Sequence, residues 1–460
     1  MQFSIDKPTI RVINFKPKGW VIVAGDDITE PIIGYSFENF FDENNLPPQL
    51  AYLLEAYAKQ LTDDRVKKAT EIPVEISLKW LKLKESPEKF KEKSSLTLNT
   101  KSGRATRWRL EKDVSLHTPT WGQRNFYNDL CPLDSSVNPI YDGRTPTGCV
   151  ATAMVQIMRY HSWPQTGAGT HGYSSNYGWE FANFGATTYN WANTPTGIVD
   201  TANNDVATAM RHAGVSANMN YGSQGSGIPY GFSIVDNVFR DNFRYWLPNE
   251  VRKSDYSDIY EWYQMIKTDL RQGFPVYYVG VNTTSTPHTA HTFIIDGFDV
   301  DGNDFEINWG WNGSANGMYH LSDLNGYGNG QFAILGIKPN NNVYRDPYEN
   351  DNSWQRSSYM ATNGINSRKN GHSINPSNDQ DWINFYNDTR RTITIETLNS
   401  SGDTRMWLYN KDGDQVAYND DGGSGYLSKI NMTLDGGTYY IKVDEYGNNN
   451  VIPSYDIRIH

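Results

Sequence analysis

The sequence predicts an α+β protein of three domains, with boundaries near residues 1–116, 117–340 and 341–460, the last domain being an all-β sandwich. Its 460 residues exceed the roughly 150 of an ordinary domain. Short apolar runs typical of strands occur along the whole chain, and helical periodicity occurs only before residue 340. After about residue 346, short runs of alternating polarity are separated by Asp-Gly turns, which is the pattern of a β-sandwich.

The first domain combines strand-like runs with one helix. IRVINF, GWVIVAG and EPIIGYS are typical of strands, and in LPPQLAYLLEAYAKQL the residues Leu50, Leu53, Leu54 and Tyr57 fall on one helical face. Lysine-rich and Ser/Thr-rich sequence follows this helix. We expect an exposed segment there that a protease cuts between about Ser94 and Leu116.

Composition excludes several classes of protein. The net charge of −11 argues against nucleic-acid binding, which needs a basic face, and no run approaches the roughly 18 apolar residues of a membrane span. Met1-Gln2-Phe3 leads into polar sequence, so this chain shows no signal peptide. The two cysteines, Cys131 and Cys149, allow no disulfide framework and no cysteine-rich metal site, and we interpret Cys131 as a buried free thiol.

The stretch PTGCVATAMVQIMRYH predicts a buried helix whose first turn holds Cys149. Apolar residues recur at helical spacing after this cysteine, and Thr147 and Gly148 stand where an N-cap lies. Backbone N–H groups and the positive end of the helix dipole favour a thiolate at such a position. Cys149 is therefore a candidate nucleophile, although a structural cysteine in a buried helix fits the same pattern.

The stretch HTAHTFIIDGFDVDGNDFEINWGWNG predicts two strands joined around an Asp-Gly turn. A two-residue loop would pair Ile294 with Trp309, about 10 Å along the strand from His291, so we expect a longer loop or a bulge. His291 would then act as a general base, with Asn308 orienting its ring and Trp309 shielding it from water. A structural histidine beside a strand fits the same residues. The HTAH pair is not the helical HExxH of zinc peptidases.

Spacing joins the two stretches into one site. His291 follows Cys149 by 142 residues and Asn308 follows His291, which is the order of nucleophile, base and orienting amide in papain-like peptidases. Gln123 lies upstream, where its amide could stabilise an oxyanion together with the Cys149 backbone N–H. A glycine-rich run lacks the Lys-Ser/Thr of a phosphate loop. We expect it to line a peptide subsite, through Gly222, Ser223, Ser226 and Gly227.

These motifs resemble a known family. WGQRNFYNDLCP, TGCVATAMVQIMRYH, MNYGSQGSG, FPVYYVGV, HTFIIDGF and INWGWNG are similar to the streptopain family of papain-like cysteine peptidases, over essentially all of Trp121 to Lys338. The resemblance implies a two-lobed papain-like fold, endopeptidase activity on proteins or peptides without a catalytic cofactor, the Cys149–His291 pair, Gln123 in the oxyanion hole and Trp309 beside His291. Where the family has a small residue after the histidine, this chain has Thr292, which affects only local packing.

The flanking segments resemble two further modules. GWVIVAGDD, PIIGYS and NLPPQL are similar to that family's inhibitory propeptide, which implies a zymogen that its own N-terminal domain keeps inactive until the linker is cut. DPYENDNSW, NDQDWINFY and GGTYYIKV resemble the pre-peptidase C-terminal (PPC) domain of secreted bacterial hydrolases, so we expect an extracellular protein. Some relatives of that domain bind calcium, and the candidate ligands here are Asp346, Glu349, Asp379 and Asp381.

Three functions remain open at this point. The first is hydrolysis of peptide bonds through an acyl-enzyme. The second is acyl transfer to an amine by the same two residues, as transglutaminase-like proteins do. The third is an adhesin or binding protein that keeps the peptidase domain only as a scaffold. The N-terminal domain is likewise either an inhibitory propeptide or a permanent extra domain.

Overall fold

The structure is a computed structural model of the chain. It describes residues 10–43, 46, 48–67, 74–84, 114–137, 143–229, 238–246, 248–256, 258–282, 289–299, 304–321, 324, 327, 329–340, 346, 348–349, 351–360, 362 and 367–460. Most of the segment predicted to be cut during activation, together with His288, lies outside the described residues.

Five α-helices are described. Their bounds are α1 Pro48–Lys67, α2 Val74–Lys84, α3 Cys149–His161, α4 Asn204–Ser216 and α5 Ile259–Gln272. The strands of the first 340 residues are β1 Ile10–Asn14, β2 Trp20–Ala24, β3 Ile32–Ser36, β4 Val114–Ser115, β5 Thr170–Ser175, β6 Gly178–Asn183, β7 Asn249–Arg252, β8 Val276–Asn282, β9 Thr289–Phe298, β10 Asp304–Asn308, β11 Gly317–His320 and β12 Asn329–Leu335. Among these described helices, none has the length and hydrophobicity needed to cross a bilayer.

One antiparallel sheet of ten strands joins the first two predicted domains. Its order is β1-β2-β3-β11-β10-β9-β8-β12-β7, and β4 pairs with β9 beside this path. The junction is the pairing of β3 with β11, in which Tyr35 lies opposite Met318 and Gly34 opposite Tyr319. Gly34 is required at this place, because a Cβ there would lie 2.5 Å from the Tyr319 ring. The N-terminal domain therefore extends the sheet of the central domain.

The hydrophobic core behind this sheet is also shared. The apolar face of α1, with Leu50, Leu53 and Leu54, packs in the same cluster as Trp309 and Phe293 of the central domain. The helical periodicity predicted for α1 is thus confirmed, because these leucines are fully buried. Because the two domains form one core together, removing the N-terminal domain uncovers apolar surface beside the central strands.

The other lobe of the central domain is built around α3 and α4. The two helices pack against each other, and α3 also packs on β9. A second hydrophobic cluster holds Met154, Ile157 and Met210 from these helices, with Tyr277 and Ile294 from the neighbouring face of the sheet. β9 therefore lies between two cores, with Phe293 in one and Ile294 in the other.

The C-terminal residues form the predicted β-sandwich. Its strands are β13 Ser358–Tyr359, β14 Ser367–Ile374, β15 Asp381–Asn387, β16 Arg391–Leu398, β17 Thr404–Asn410, β18 Gln415–Asn419, β19 Lys429–Leu434, β20 Gly437–Glu445 and β21 Ile452–Ile459. A five-stranded sheet, β13-β15-β20-β17-β18, faces a four-stranded sheet, β14-β21-β16-β19, around a separate core. The runs of alternating polarity that the sequence shows after residue 346 are therefore strands, as predicted.

The sandwich contacts the central domain through α5. The Tyr260 hydroxyl lies 2.8 Å from that of Thr438, and its ring lies 4.4 Å from the ring of Tyr386. The Gln272 amide donates to the backbone carbonyls of Tyr348 and Arg356. These polar and aromatic contacts attach the sandwich to the central domain.

Candidate active site

Cys149 is the first residue of α3, as the sequence predicts. Gly148 is the N-cap, with φ of 87°, and no side chain caps the helix. A side chain at Gly148 would strain this left-handed backbone, and its Cβ would lie 2.8 Å from the Ser226 carbonyl oxygen. A glycine at this position therefore lets the glycine-rich loop approach the start of the nucleophile helix.

That loop contains the four predicted subsite residues. The Ser226 hydroxyl donates to the Pro146 carbonyl at 2.7 Å, and the Gly227 amide donates to Asn220 at 3.2 Å. The Gly222 amide donates weakly to Ser226 Oγ at 3.4 Å. The Ser223 carbonyl accepts from the Arg124 guanidinium at 3.4 Å. The structure thus brings Gly222, Ser223, Ser226 and Gly227 next to the segment that carries Cys149.

Gln123 lies on the other side of the same segment. Its backbone carbonyl accepts from the Thr147 amide at 3.0 Å, two residues before the nucleophile. The neighbouring Trp121 is fully buried, and its backbone carbonyl accepts from the Asn312 amide at 3.2 Å. The Gln123 side chain is partly exposed. These contacts hold the backbone of Gln123 close to the start of α3.

The Cys149 thiol differs from the sequence prediction in its ionisation. Burial raises the pKa of the thiol, and this outweighs the opposing hydrogen bonds from Thr292 and the backbone amide of Val150. The helix N-terminus was expected to lower the pKa of the thiol, whereas in this arrangement the pKa is raised. Cys131, the other cysteine, is a buried free thiol as predicted, and burial raises its pKa to about 12.

Thr292 has a larger part in the site than the sequence suggests. It is buried on β9, and both its amide and its hydroxyl lie close enough to the Cys149 thiol to lower the pKa of the thiol. The expectation that this departure from the family pattern affects only local packing is therefore wrong. Nothing in the local sequence signals this contact, because α3 and β9 are far apart along the chain and meet only in the fold.

His291 is buried in an aromatic environment. Its Nε2 lies 3.0 Å from the Trp309 carbonyl oxygen, and its ring stacks on Trp311 with centroids 4.9 Å apart. The Trp309 ring lies nearly parallel at 6.0 Å, and Phe293 and Tyr327 complete the surroundings. Burial lowers the pKa of His291 to about 4, against a smaller opposite effect of the Trp309 carbonyl. The imidazole is therefore neutral at physiological pH.

The structure does not join the two predicted catalytic side chains. Successive residues of a strand point to opposite faces. Thr292 contacts Cys149, whereas His291 lies beside Phe293 and Trp309 in the core shared with the N-terminal domain. No hydrogen bond or ion pair joins Cys149 to His291, both of which the structure describes. The Trp309 carbonyl occupies Nε2 of the ring, which leaves Nδ1 as the nitrogen that could take a proton from Cys149.

Asn308 does not orient the His291 ring here. Its amide nitrogen donates to Thr118 Oγ1 and to the Pro119 carbonyl, both at 2.9 Å, and its oxygen accepts from the Gly310 amide. The predicted bulge exists, between Glu306 and Ile307, but it shifts the pairing by one residue and puts Asn308, not Trp309, opposite Ile294. The predicted orienting role is thus wrong for this arrangement, in which the Trp309 carbonyl holds the ring.

The N-terminal domain reaches this region through Asn39. The Asn39 amide donates to the carbonyls of Gly313 and Asn316, both at 3.3 Å, and its oxygen accepts from Trp20 Nε1 at 2.6 Å. Asn316 in turn accepts a bond from the Trp309 amide at 3.0 Å. A continuous set of contacts therefore runs from the N-terminal domain to the residue whose carbonyl holds His291.

A second cluster of functional side chains lies in the sandwich. Ligand atoms of Glu349, Asp379 and Asp381 lie within 4.8 Å of one another, as do those of Asp346, His372 and Asp381. All are buried. Burial, and to a smaller extent the negative charge of neighbouring carboxylates, raises the pKa of Glu349 to about 8 and that of Asp381 well above its usual range. The four predicted acids are therefore together. His372 is an additional buried member that the sequence did not reveal, and the charge of Asp351, which is also buried, acts on Asp381.

Known proteins resemble this chain over most of its length. Residues 121–319 match the Peptidase C10 family and residues 5–61 match the Spi protease inhibitor family. Streptopain of Streptococcus pyogenes is 31% identical over 358 residues, which cover 71% of this chain and 80% of streptopain. The thiol protease/hemagglutinin PrtT of Porphyromonas gingivalis is 31% identical over 343 residues, which cover 70% of this chain but only 36% of PrtT.

A solved structure extends the comparison to the fold. A fragment of prointerpain A from Prevotella intermedia, a cysteine-to-alanine mutant, superimposes with a TM-score of 0.52 at 27% identity and covers 73% of this chain and 98% of the fragment. The predicted fold class is confirmed, and the enzyme class follows from the relatives. The chain belongs to the Peptidase C10 family of streptopain-like cysteine peptidases and carries an N-terminal domain of the Spi inhibitor type.

Proposed function

We propose that this chain is the latent zymogen of a secreted, extracellular cysteine endopeptidase, in which Cys149 is the nucleophile and His291 the general base. The observation that carries the proposal is the position of Cys149 at the start of a buried helix, between Gln123 and the glycine-rich loop. Latency is supported by the burial of His291 in a core to which the N-terminal domain contributes. No contact among the described residues favours acyl transfer to an amine or a purely adhesive role.

The proposed reaction follows from the roles of these residues. The Cys149 sulfur, after giving its proton to His291, attacks the carbonyl carbon of the scissile peptide bond. The Gln123 amide and the Cys149 backbone N–H donate to the oxyanion that forms. His291 then protonates the leaving amine, which leaves a thioester on Cys149. Water, deprotonated by His291, attacks the thioester, and the free acid and the thiol are restored.

Substrate enters, on this proposal, along the glycine-rich loop. Gly222 and Gly227 carry no side chains, so an extended peptide backbone can approach the loop closely. Ser223 and Ser226 belong to the same loop, whose contact with Gly148 brings it to the nucleophile. The substrates are therefore proteins or peptides bound in extended form across the start of α3.

Latency is proposed to depend on the N-terminal domain. His291 is bonded to the Trp309 carbonyl, Trp309 is bonded to Asn316, and Asn39 of the N-terminal domain is bonded to the Asn316 carbonyl. Removal of the N-terminal domain breaks the last of these contacts and uncovers the shared core. The imidazole is then free to turn toward Cys149, and the resulting thiolate–imidazolium pair lowers the pKa of the thiol.

Self-processing tests the proposed activity. The wild-type chain, Cys149→Ala and Cys131→Ala are incubated in parallel, and the intact mass of each is followed. We expect the wild type and Cys131→Ala to lose the N-terminal domain and Cys149→Ala to remain whole. Cys131 is the matched control because it is the other free thiol and has no proposed part in the reaction. Cleavage of Cys149→Ala at the wild-type rate, or failure of both thiol-containing chains to cut added protein, contradicts the proposal.

We further propose that the sandwich binds a structural calcium ion. The fit is supported by unsatisfied buried oxygens, because neither carboxylate oxygen of Asp351 nor one oxygen of Asp381 has a hydrogen-bond partner. Hard carboxylate oxygens are the ligands that calcium prefers. Asp346, Glu349, Asp379 and Asp381 would hold the ion, which would supply positive charge and cross-link the start of the sandwich to β15.

Thermal unfolding tests the calcium proposal in the full chain carrying Cys149→Ala. We expect added calcium to raise the midpoint and a chelator to reverse the increase. Asp381→Asn should lose this response, whereas Asp412→Asn, an exposed acid of the same domain, should keep it. An equal midpoint with calcium and with chelator in the unsubstituted domain contradicts the proposal.

A further inference from the structure

An ion pair that has no part in the proposed reaction lies buried behind the glycine-rich loop. The Arg211 guanidinium of α4 bonds to the Glu180 carboxylate of β6. The side chains are 16% and 5% exposed, respectively. Taking two opposite charges out of water is costly, and the cost is offset only when further hydrogen bonds use their remaining donors and acceptors. The other partner of Arg211 therefore indicates what the pair holds in place.

That partner is Tyr221, which lies at the start of the glycine-rich loop. Arg211 Nη1 donates to the Tyr221 hydroxyl at 3.1 Å. The Tyr221 side chain is almost fully buried, and a Cβ at Gly214 of α4 would lie 2.3 Å from its hydroxyl oxygen. The hydroxyl is thus held between the guanidinium and the backbone of α4. The ion pair fixes Arg211, and Arg211 fixes Tyr221.

The hairpin of β5 and β6 holds the residues just before Tyr221 as well. The Tyr173 hydroxyl donates to the Met219 carbonyl at 2.5 Å, and His171 Nε2 lies 2.6 Å from Asn218 Oδ1. Met219 is fully buried, and its side chain would lie 3.0 Å from a Cβ at Gly148, the N-cap of the nucleophile helix. The segment that leads into the loop is therefore anchored by the hairpin as well as by α4, which packs on both strands.

The base of the loop adjoins these anchors. Asn220 and Gly227 exchange two backbone hydrogen bonds, at 2.7 Å and 3.2 Å, which close the loop. Tyr221 lies directly inside this closure, and the Ser226 hydroxyl near its other end donates to the Pro146 carbonyl just before the nucleophile. A shift of the Tyr221 side chain therefore changes the position of the loop relative to the start of α3.

We propose that Tyr173 and Tyr221 are positioning residues for peptide binding and that the Glu180–Arg211 pair holds Tyr221 in this role. The proposal rests on the proposed function, in which an extended substrate binds along the glycine-rich loop. Neither tyrosine has a part in the proposed bond-breaking steps. A residue that supports only a binding surface changes how tightly substrate is held, while the chemical step keeps its rate. The two hydroxyls therefore act on KM and not on kcat.

Steady-state cleavage of a synthetic peptide with the sequence of residues 94–116 tests this role. Each full-length variant is first processed by immobilised wild-type enzyme, which is then removed. Tyr173→Phe/Tyr221→Phe removes two hydroxyls and keeps both rings and the ion pair. Loss of the two hydrogen bonds should raise KM about 5- to 30-fold and leave kcat within about twofold of the wild type.

Tyr189→Phe is the matched control. Tyr189 is 3% exposed, as is Tyr221, but its hydroxyl lies 3.0 Å from Nδ1 of His212 in α4 and not from the loop segment. This variant also loses a buried tyrosine hydroxyl beside α4 and should keep the wild-type KM. Alkylation of Cys149 by iodoacetamide, which is too small to need a peptide subsite, should proceed at the wild-type rate in all these variants.

The ion pair is tested by replacing both charges together. Glu180→Met/Arg211→Met leaves no unpaired buried charge and removes the donor to Tyr221, so its KM should rise at least as far as that of Tyr221→Phe alone. A wild-type KM in the double tyrosine variant, an equal rise in Tyr189→Phe, or a joint fall of kcat and the alkylation rate would overturn the positioning role while the wild type still cuts the peptide. Failure of the wild type to cut it would overturn the proposed function as well.

Discussion

Replacing Asn39 by alanine should weaken the proposed latency without changing the proposed catalytic residues. Asn39 belongs to the N-terminal domain, and its amide donates to the carbonyls of Gly313 and Asn316 in the loop after Trp311. The loop is otherwise tied to Trp309 through the Asn316 side chain, and the Trp309 carbonyl holds His291. Asn39→Ala removes these two bonds to the loop and also, within the N-terminal domain, the bond that Trp20 Nε1 donates to Asn39.

The expected size of the effect follows from these two bonds. A neutral hydrogen bond contributes about 0.5–1.5 kcal/mol net, and both bonds here are long at 3.3 Å, so together they contribute about 1–2 kcal/mol. Since about 1.4 kcal/mol is tenfold in an equilibrium constant, the population with a released imidazole should rise about 5- to 30-fold.

An epoxide inhibitor of thiol proteases measures this population in the uncut chain. Intact mass spectrometry at early times counts adducts on the full-length chain only, so processed enzyme does not contribute. The rate of adduct formation should rise 5- to 30-fold in Asn39→Ala, by the estimate above. Asn14→Ala is the matched control, because it removes two bonds to Phe41 that lie wholly within the N-terminal domain. Equal rates in the wild type and Asn39→Ala, or equal acceleration by both variants, would refute the reasoning.

Three further predictions concern stability and the thiol. Because burial lowers the pKa of His291 to about 4, the latent fold should lose up to about 3 kcal/mol of stability as the pH falls from the ordinary pKa of about 6.5 toward 4. Thermal unfolding of Cys149→Ala should show this loss, and Cys149→Ala/His291→Ala should show a smaller one. An equal dependence of the two midpoints on pH would contradict the prediction. Asn308→Ala, which removes three buried bonds, should destabilise the Cys149→Ala chain by about 2–4 kcal/mol in urea unfolding, and a cost near zero would contradict the assigned contacts. Thr292→Val should raise the pKa of the Cys149 thiol in pH-dependent alkylation while Thr292→Ser keeps it, and an unchanged valine variant would show that the hydroxyl does not reach the sulfur.

Local patterns in the sequence predicted the elements well. The apolar face of α1, the start of α3 at Cys149 and the alternating strands of the sandwich depend on residues close together in the chain, and each is confirmed. The bulge between β9 and β10 was also predictable, because strand spacing alone made a regular hairpin incompatible with the site.

Contacts between segments that are distant in the chain could not be predicted from these local patterns. The sequence predicts a domain boundary near residue 116 but not that β3 pairs with β11 or that α1 shares a core with Trp309. Pairing of strand edges leaves no mark on local periodicity. For the same reason the linkage from Asn39 to the loop at Gly313 could not be predicted.

The ionisation of the site was predicted in the wrong direction for this arrangement. The position of Cys149 at a helix start favours a thiolate, but burial has the larger effect on the pKa of the thiol, and no hydrogen bond from His291 opposes it among the described residues. The spacing predicts Cys149 and His291 as the pair, and this stays a prediction, whereas the aromatic surroundings of the imidazole come from Trp309, Trp311 and the shared core, which only the fold brings together.

The pH dependence of Cys149 alkylation before and after processing tests the central claim, that the catalytic pair forms only when the N-terminal domain leaves. In the full-length chain the thiol should titrate above its ordinary pKa, as burial requires. After processing it should titrate below that value, and His291→Ala, cut by added wild-type enzyme, should lose the decrease. Identical profiles before and after processing, or a decrease that survives His291→Ala, would contradict the claim.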